Sequence, residues 1–176
     1  MSHGLILLAG LALGMALAYG YARFVEPRWL KITKVSLALL PPRAGVDRLT
    51  ILHLSDLHHS DVVSLSSLRR ALERAVRMQP DLILLTGDFI TTKIEDQGFL
   101  EVLKLLPQAA PTFACPGNHD GGRWAQAMAG YPTTEPIKGL LEAAAIEYLE
   151  NAFALIQIKG VSVAVAGMGD LWARNC

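Results

Sequence analysis

The chain has 176 residues, of which 52% are hydrophobic, and its formal net charge at pH 7 is zero. This length accommodates one domain but not comfortably two. Because the 16 basic residues are balanced by 16 acidic ones, the chain lacks the basic excess typical of nucleic-acid-binding proteins, and we do not expect nucleic acid as a partner. The two cysteines, Cys115 and Cys176, form neither a disulfide framework nor a CxxC pair.

The first predicted element is an apolar segment at the N-terminus. Residues 4–22 include no charged side chain, and a helix of this length can cross a bilayer. A cleaved signal peptide is the alternative, but it would have a shorter apolar region after a basic start. We therefore favour a transmembrane anchor over residues 1–22, followed by a polar connector over residues 23–34.

The charges that flank this segment predict its orientation, and small residues within it predict a contact between two copies of the helix. Four basic residues follow the span and none precedes it: Arg23, Arg28, Lys31 and Lys34. The positive-inside rule then gives a single-pass protein of the inner (plasma) membrane with a cytoplasmic domain, the exported side being the alternative. The small residues Gly10, Gly14, Ala18 and Ala22 recur every four positions. They would allow a homodimer through this helix, although such spacings are frequent by chance.

Residues 35–176 predict an α/β domain. Apolar runs predict strands over 35–40, 49–55, 81–86, 112–115, 146–149, 154–158 and 161–166, with the last two joined as a hairpin at Lys159-Gly160. Helices are predicted from Leu65 to a stop at Pro80, over 99–106 and over 140–145. Because strands and helices alternate in the first part of this region, we expect a mainly parallel sheet there.

Three polar motifs directly follow three of these apolar runs. They are Asp56-Leu57-His58, Gly87-Asp88 and Gly117-Asn118-His119-Asp120. The carboxyl ends of parallel strands meet at one edge of a sheet, where ligands bind. Each residue taken alone has an ordinary explanation, since Asp and Asn favour turns. Together, their carboxylate, imidazole and amide groups predict a site for a divalent cation such as Mn, Fe, Zn or Mg.

The neighbouring polar residues are given smaller roles. His53 lies within a strand and is expected to be structural, and His59 is expected to face away from the site, exposed or behind a ligand. Asp170 follows the final strand, where a loop could reach the site, and the sequence gives it no role.

From about residue 49 to residue 176, these motifs make the chain resemble the calcineurin-like metallophosphoesterases. The family pattern reads DxH, then GD, then GNH followed by Asp or Glu, and this chain matches each block. The resemblance is to the membrane-anchored bacterial phosphodiesterase type. It implies an α/β/β/α sandwich and a hydrolase that cleaves a phosphodiester, pyrophosphate or phosphomonoester with two divalent metal ions. The substrate would be a phosphorylated small molecule or a lipid-linked phosphate.

The resemblance also implies a role for each motif residue. The metal ligands would be Asp56, His58, Asp88 and Asn118. The first ion would be held by Asp56, His58 and Asp88, and Asp88 would bridge to a second ion bound by Asn118. His119 would be the general acid, and Asp120 would orient the His119 imidazole and raise its pKa.

The family pattern continues beyond the third motif with a further histidine and a GHxH block. This chain has no histidine after His119, so the second ion would have only Asp88 and Asn118 and should bind weakly. We therefore expect the N-terminal part of a longer enzyme. The alternative is a truncated, non-catalytic, membrane-bound α/β protein that binds at most one metal ion or a partner.

Overall fold

A computed structural model describes residues 3–26, 29–38, 46, 48–94 and 97–173. The chain separates into two compact units, Met1–Ser36 and Leu37–Cys176.

The first unit consists mainly of helix α1, His3–Phe24. It has 22 residues, a mean hydropathy of 1.9 over its most apolar window and no buried residue. A helix that is apolar on all sides is stable in lipid, so by length and composition α1 can cross a membrane. The same composition is found in signal sequences. A Cβ added at Gly10 or Gly14 would meet no atom within 4 Å, and the homodimer through this helix stays a prediction.

The predicted strand over 35–40 is wrong for residues 35–38, which have no regular secondary structure; residues 39 and 40 lie outside the described residues. The side chains of Val35 and Leu37 are exposed. An apolar run becomes a strand only when a neighbouring strand accepts its backbone hydrogen bonds, and residues 35–38 pair with none of the described strands.

The second unit is built on a parallel sheet with strand order β1-β2-β3-β4. The strands are β1 Ile51–Leu54, β2 Leu82–Thr86, β3 Thr112–Cys115 and β4 Glu147–Tyr148. The helices between them are α2 Leu65–Val76, α3 Gln97–Leu103, α4 Gly122–Ala127 and α5 Glu135–Ala143. Strands that are adjacent in the chain are also adjacent in the sheet, and every pair is parallel. The predicted mixed α/β class with a parallel sheet is confirmed.

Different elements pack against the two faces of the sheet. Ile83 and Leu85 of β2 face the core formed with α2, α3 and α5, whose buried side chains include Leu72, Phe99 and Leu141. Side chains alternate between faces along a strand, so residues 82 and 84 point to the opposite side. There, an antiparallel hairpin of β5 Ala152–Ile158 and β6 Val161–Gly167 covers the sheet. The resulting order is helices, sheet, then hairpin.

Several boundaries differ from the predicted ones for local reasons. Helix α5 begins at Glu135, five residues before the predicted start, because Pro136 occupies the first helical turn, where its fixed φ is favourable. Helix α4 was not predicted, since it has only six residues and begins at the second of two consecutive glycines, Gly121 and Gly122. The predicted hairpin turn is present: Lys159 and Gly160 both have positive φ, 50° and 78°, as a two-residue hairpin turn requires.

Candidate metal centre

The three motifs leave the sheet at one edge, because β1, β2 and β3 are parallel and in register. Their backbone is locally unusual. Asp56, His58 and Asp88 have φ values of 56°, 45° and 55°, in the left-handed region that side chains with a Cβ rarely adopt. Such conformations cost about 1–3 kcal/mol each and persist where the surrounding structure enforces them. Three of the four predicted ligands therefore have unusual backbone, and five other non-glycine residues among those described also have positive φ.

The second and third motif loops touch backbone to backbone. A Cβ added to Gly87, whose φ is 79°, would lie 2.2 Å from the Gly117 nitrogen, and one added to Gly117 would lie 2.3 Å from Oδ1 of Asp88. Neither position has room for a side chain. The first loop joins them through the His58 amide, which donates to the Asp88 carbonyl at 2.9 Å. Hydrogen bonds and close backbone contact thus link all three loops.

Nitrogen and oxygen ligands from the three loops converge on a small volume. Single ligand atoms of His58, Asp88 and His119 lie within 4.8 Å of one another. Nε2 of His58 is 3.5 Å from Oδ1 of Asp56 and 3.6 Å from Oδ2 of Asp88. Ligands bound at about 2.0–2.2 Å to one ion lie roughly 3–3.5 Å apart, so this spacing fits a shared divalent cation.

The two histidine rings are held by a residue that the motifs do not contain. Oγ1 of Thr91 is 3.3 Å from Nδ1 of His58, and the Thr91 carbonyl oxygen is 3.5 Å from Nδ1 of His119. The rings meet edge to face, with centroids 4.9 Å apart and an angle of 86°. Contacts at Nδ1 leave Nε2 of each ring for the centre, as is usual for metal-bound histidines. Thr91 was not singled out from the sequence, where it is an ordinary loop threonine.

Asp120 is fully buried, and its contacts differ from those predicted. Its Oδ2 accepts hydrogen bonds from the amides of Asp88 and Gly117, and its Oδ1 accepts one from the amide of Phe89, all at 2.8 Å. The carboxylate does not hydrogen-bond the His119 imidazole, so the predicted orienting contact is wrong. The physical reason is that the tight turns at the second and third motifs leave backbone amides that need a buried acceptor.

The environment of Asp120 has opposing effects on its ionisation. Burial raises the pKa of Asp120 to about 7, while the hydrogen bonds from the Gly117, Phe89 and Asp88 amides act to lower it. The Asp88 carboxylate has its own link between the same loops, since its Oδ1 accepts from the His119 amide at 2.9 Å. Two carboxylates from different loops therefore hold the second and third motifs together.

The two remaining predicted ligands lie beside this cluster. Asp56 has a side chain that is 62% exposed, and Oγ of Ser55 donates a hydrogen bond to its Oδ2. Asn118 is half-buried in the third loop, between Gly117 and His119. The roles of both as ligands remain predictions.

Two further histidines and Asp170 have structural roles. His53 pairs across β1 and β2 with the Thr86 hydroxyl at 2.8 Å. His59, expected to be exposed or behind a ligand, is buried, with its ring 4.9 Å from that of Phe99, so only the exposed alternative is wrong. Oδ1 of Asp170 accepts hydrogen bonds from the amides of Trp172 and Ala173, which fixes the turn after β6.

Comparison with known proteins finds a matching family model and several similar proteins. Residues 49–174 match the family model described as "Calcineurin-like phosphoesterase". The chain is 35% identical over 160 residues to phosphodiesterase YaeI of Escherichia coli (strain K12), covering 90% of this chain and 56% of that protein. It is 31% identical over 174 residues to the uncharacterized metallophosphoesterase YkuE of Bacillus subtilis (strain 168), covering 96% and 57%.

A third relative has a more specific name. The chain is 33% identical over 106 residues to the UDP-2,3-diacylglucosamine pyrophosphatase LpxG of Chlamydia muridarum (strain MoPn / Nigg), covering 59% of this chain and 32% of that protein. The chain thus spans little more than half the length of YaeI and YkuE and about a third of LpxG.

Proposed function

The chain belongs to the calcineurin-like phosphoesterase family, and from this premise we propose that it forms the anchored, metal-binding part of a phosphoester hydrolase. The observation that carries the proposal is the convergence of His58, Asp88 and His119, whose ligand atoms lie within 4.8 Å of one another at the ends of three parallel strands. Nitrogen and oxygen ligands of this kind suit Mn, Fe, Zn or Mg.

Asp56, His58 and Asp88 would hold one divalent ion, and Asp88 and Asn118 would hold a second. When bound, such ions hold the phosphate and lower the pKa of a bound water. Asp88 is suited to bridging, because its Oδ1 is fixed by the His119 amide while its Oδ2 faces the His58 imidazole. Its carboxylate is thus held in place before any ion arrives.

His119 would donate a proton to the leaving oxygen. The Thr91 carbonyl lies near its Nδ1, which leaves Nε2 to face the substrate. The same geometry would allow His119 to act as a metal ligand. The number of metal ions bound by His119→Gln separates the two roles. If His119 is only the general acid, the variant loses activity but keeps the bound metal, whereas if His119 is a ligand, the variant also binds less metal.

The substrate we propose is an amphiphilic phosphoester hydrolysed at the plasma membrane. Two observations support this: α1 is long and apolar enough to cross a bilayer, and the relative LpxG is named for a diacylated nucleotide sugar. The basic residues after α1 favour a cytoplasmic domain. A fluorescent reporter that matures only in the cytoplasm, fused after residue 176, tests this orientation.

The decisive experiment compares two Asp→Asn variants at opposite ends of β2. Hydrolysis of bis(p-nitrophenyl) phosphate is measured with added manganese for Asp88→Asn and for the control Asp81→Asn, which precedes the strand. We expect Asp88→Asn to lose at least a hundredfold in rate and most of its manganese binding, while Asp81→Asn stays within about twofold. Hydrolysis by Asp88→Asn at the unaltered rate would refute the bridging assignment.

A second candidate is a protein that binds one metal ion without turnover. It is favoured by the finding that, among the described residues, the cluster of acidic and histidine ligands has three members, enough for one ion. It predicts one manganese per chain and no hydrolysis of the chromogenic diester. The enzyme predicts two ions per chain at saturating manganese, together with hydrolysis.

A further inference from the structure

Thr91 belongs to the second motif loop, and backbone hydrogen bonds fix it against the first. The amides of His58 and His59 donate to the carbonyls of Asp88 and Phe89, each at 2.9 Å. The amide of Thr91 continues this series by donating to the His59 carbonyl at 3.3 Å. The main chain at Thr91 therefore has a defined position beside the first loop, and its side chain starts from a fixed point.

The hydroxyl group of Thr91 contacts two atoms of one candidate ligand. Oγ1 donates to the carbonyl oxygen of His58 at 3.5 Å and lies 3.3 Å from Nδ1 of the same residue. A hydroxyl group has one proton to donate, whereas its oxygen accepts through two lone pairs. Because the proton is directed at the carbonyl, a lone pair is left for Nδ1. This contact favours the imidazole tautomer of His58 that carries its proton on Nδ1.

The tautomer matters because the other ring nitrogen of His58 faces two carboxylates. Nε2 lies 3.5 Å from Oδ1 of Asp56 and 3.6 Å from Oδ2 of Asp88. In the absence of a cation, both carboxylates favour a proton on Nε2, since an N–H group there could donate to them. That proton would lie where a shared ion binds. The Thr91 hydroxyl opposes this preference and keeps the Nε2 lone pair available to the ion.

Thr91 contacts the second histidine ring through its main chain. Its carbonyl oxygen lies 3.5 Å from Nδ1 of His119, and a carbonyl oxygen can only accept a hydrogen bond. A proton on Nδ1 of His119 is therefore favoured as well. The rings of His58 and His119 meet edge to face with their centroids 4.9 Å apart, so rotation of one ring would disturb the other. One residue thus constrains two rings.

We propose that Thr91 is a positioning residue of the metal centre, whose hydroxyl group fixes the Nδ1-protonated tautomer of His58 and thereby strengthens the binding of a divalent ion. This inference deepens the function proposed above and rests on it for the presence of the ion. In this role Thr91 contacts neither the ion nor the substrate, and it acts only through the histidine ring.

Three variants of the full chain in detergent micelles separate this role from a general effect on packing. Thr91→Val has the same shape without the hydroxyl group, and Thr91→Ser retains the hydroxyl group. Thr92→Val is the matched control, because it makes the same change at the neighbouring threonine, which is exposed. Calorimetric titration gives the manganese affinity. We expect Thr91→Val to bind about tenfold more weakly or worse, as loss of a partner behind a metal-bound histidine does, and the other two variants to bind as the wild type does.

Nuclear magnetic resonance of the metal-free protein reports the tautomer without any need for hydrolysis. After labelling of the histidines with nitrogen-15, the chemical shifts of a neutral ring show which of its nitrogens carries the proton. The variant His58→Gln identifies the signals of His58 by their loss. We expect the proton on Nδ1 in the wild type and in Thr91→Ser, and on Nε2 in Thr91→Val.

A proton on Nε2 of His58 in the wild type would overturn the inference, and this result does not depend on the folding of any Thr91 variant. An unaltered manganese affinity in Thr91→Val, or an equal loss in Thr92→Val, would also overturn it. The inference and the proposed reaction fail separately. Manganese binding that depends on the Thr91 hydroxyl, without hydrolysis of bis(p-nitrophenyl) phosphate, supports the inference and refutes the reaction. Hydrolysis by a protein whose affinity is unaltered in Thr91→Val does the reverse.

Discussion

Replacement of Asp120 should loosen the metal centre without removing a metal ligand. In Asp120→Ala, the amides of Asp88, Phe89 and Gly117 would lose their buried acceptor. An unpaired buried group costs about 1–3 kcal/mol, so three amides cost about 3–9 kcal/mol. This is comparable with the whole free energy of unfolding of a typical domain, about 5–15 kcal/mol. We therefore expect the alanine variant to be largely unfolded.

The informative variant is Asp120→Asn. Its amide oxygen can still accept from Asp88 and Gly117, but its NH2 group would face the Phe89 amide, which loses one hydrogen bond at a cost of about 1–3 kcal/mol. Urea denaturation gives the free energy of unfolding, and calorimetric titration gives the manganese affinity. Measurement at pH 8 keeps the wild-type carboxyl ionised, above the pKa of about 7 to which burial raises it.

Asp170→Asn is the control for Asp120→Asn, because Asp170 also accepts two backbone amides but is more exposed to solvent. We expect it to cost less than about 1 kcal/mol, since both amides donate to Oδ1 of Asp170, whose place the asparagine amide oxygen can take. Equal destabilisation by the two variants, or an unaltered manganese affinity in Asp120→Asn, would refute the account of Asp120 as the group that holds the second and third loops together.

Two further predictions concern the sheet ends. The hydrogen bond from Lys159 holds the pKa of Asp81 below its usual 3.8, so its carboxylate stabilises the fold above that value, and the contribution is lost as pH falls through the lowered pKa. The free energy of unfolding of Asp81→Asn should thus be about 1 kcal/mol below that of the wild type at pH 6, and the urea midpoints of the two proteins should converge below pH 4. A difference between the midpoints that does not change with pH would contradict this account. Gly117→Ala should reduce manganese affinity at least tenfold because its Cβ would displace Asp88. The control Gly139→Ala, which adds its Cβ on open helix surface, should bind manganese with the affinity of the wild type. Equal affinities of the two variants would show that the third loop can shift to make room for a side chain.

The sequence predicts where the three motif loops leave the sheet, because alternation of apolar and polar runs sets where each strand ends. Strand β3 was predicted at its observed bounds, and the bounds of β1 and β2 were predicted within two residues. Their ends bring His58, Asp88 and His119 together. This outcome needs only parallel strands in register, which the strand–helix alternation indicates.

The direction of individual side chains was less predictable. The Asp120 carboxylate accepts hydrogen bonds from backbone amides of another loop. The residues next to Asp120 in the sequence do not indicate such a long-range contact. Likewise, the burial of His59 depends on α3, which supplies the contact with Phe99. Thr91 contacts two histidines only when all three motif loops are in place. These contacts follow from tertiary packing, which local patterns do not encode.

Strand order also bears on how this domain folds during synthesis. Because β1, β2 and β3 lie in the sheet in the order in which they leave the ribosome, each new strand can pair with a neighbour that has already been made, and contacts between distant parts of the chain are not required early. The loops of the centre can close once residue 120 has emerged, since the Asp120 carboxylate supplies the last acceptor for the second loop. The metal centre can therefore assemble before the hairpin that covers the opposite face of the sheet has been made.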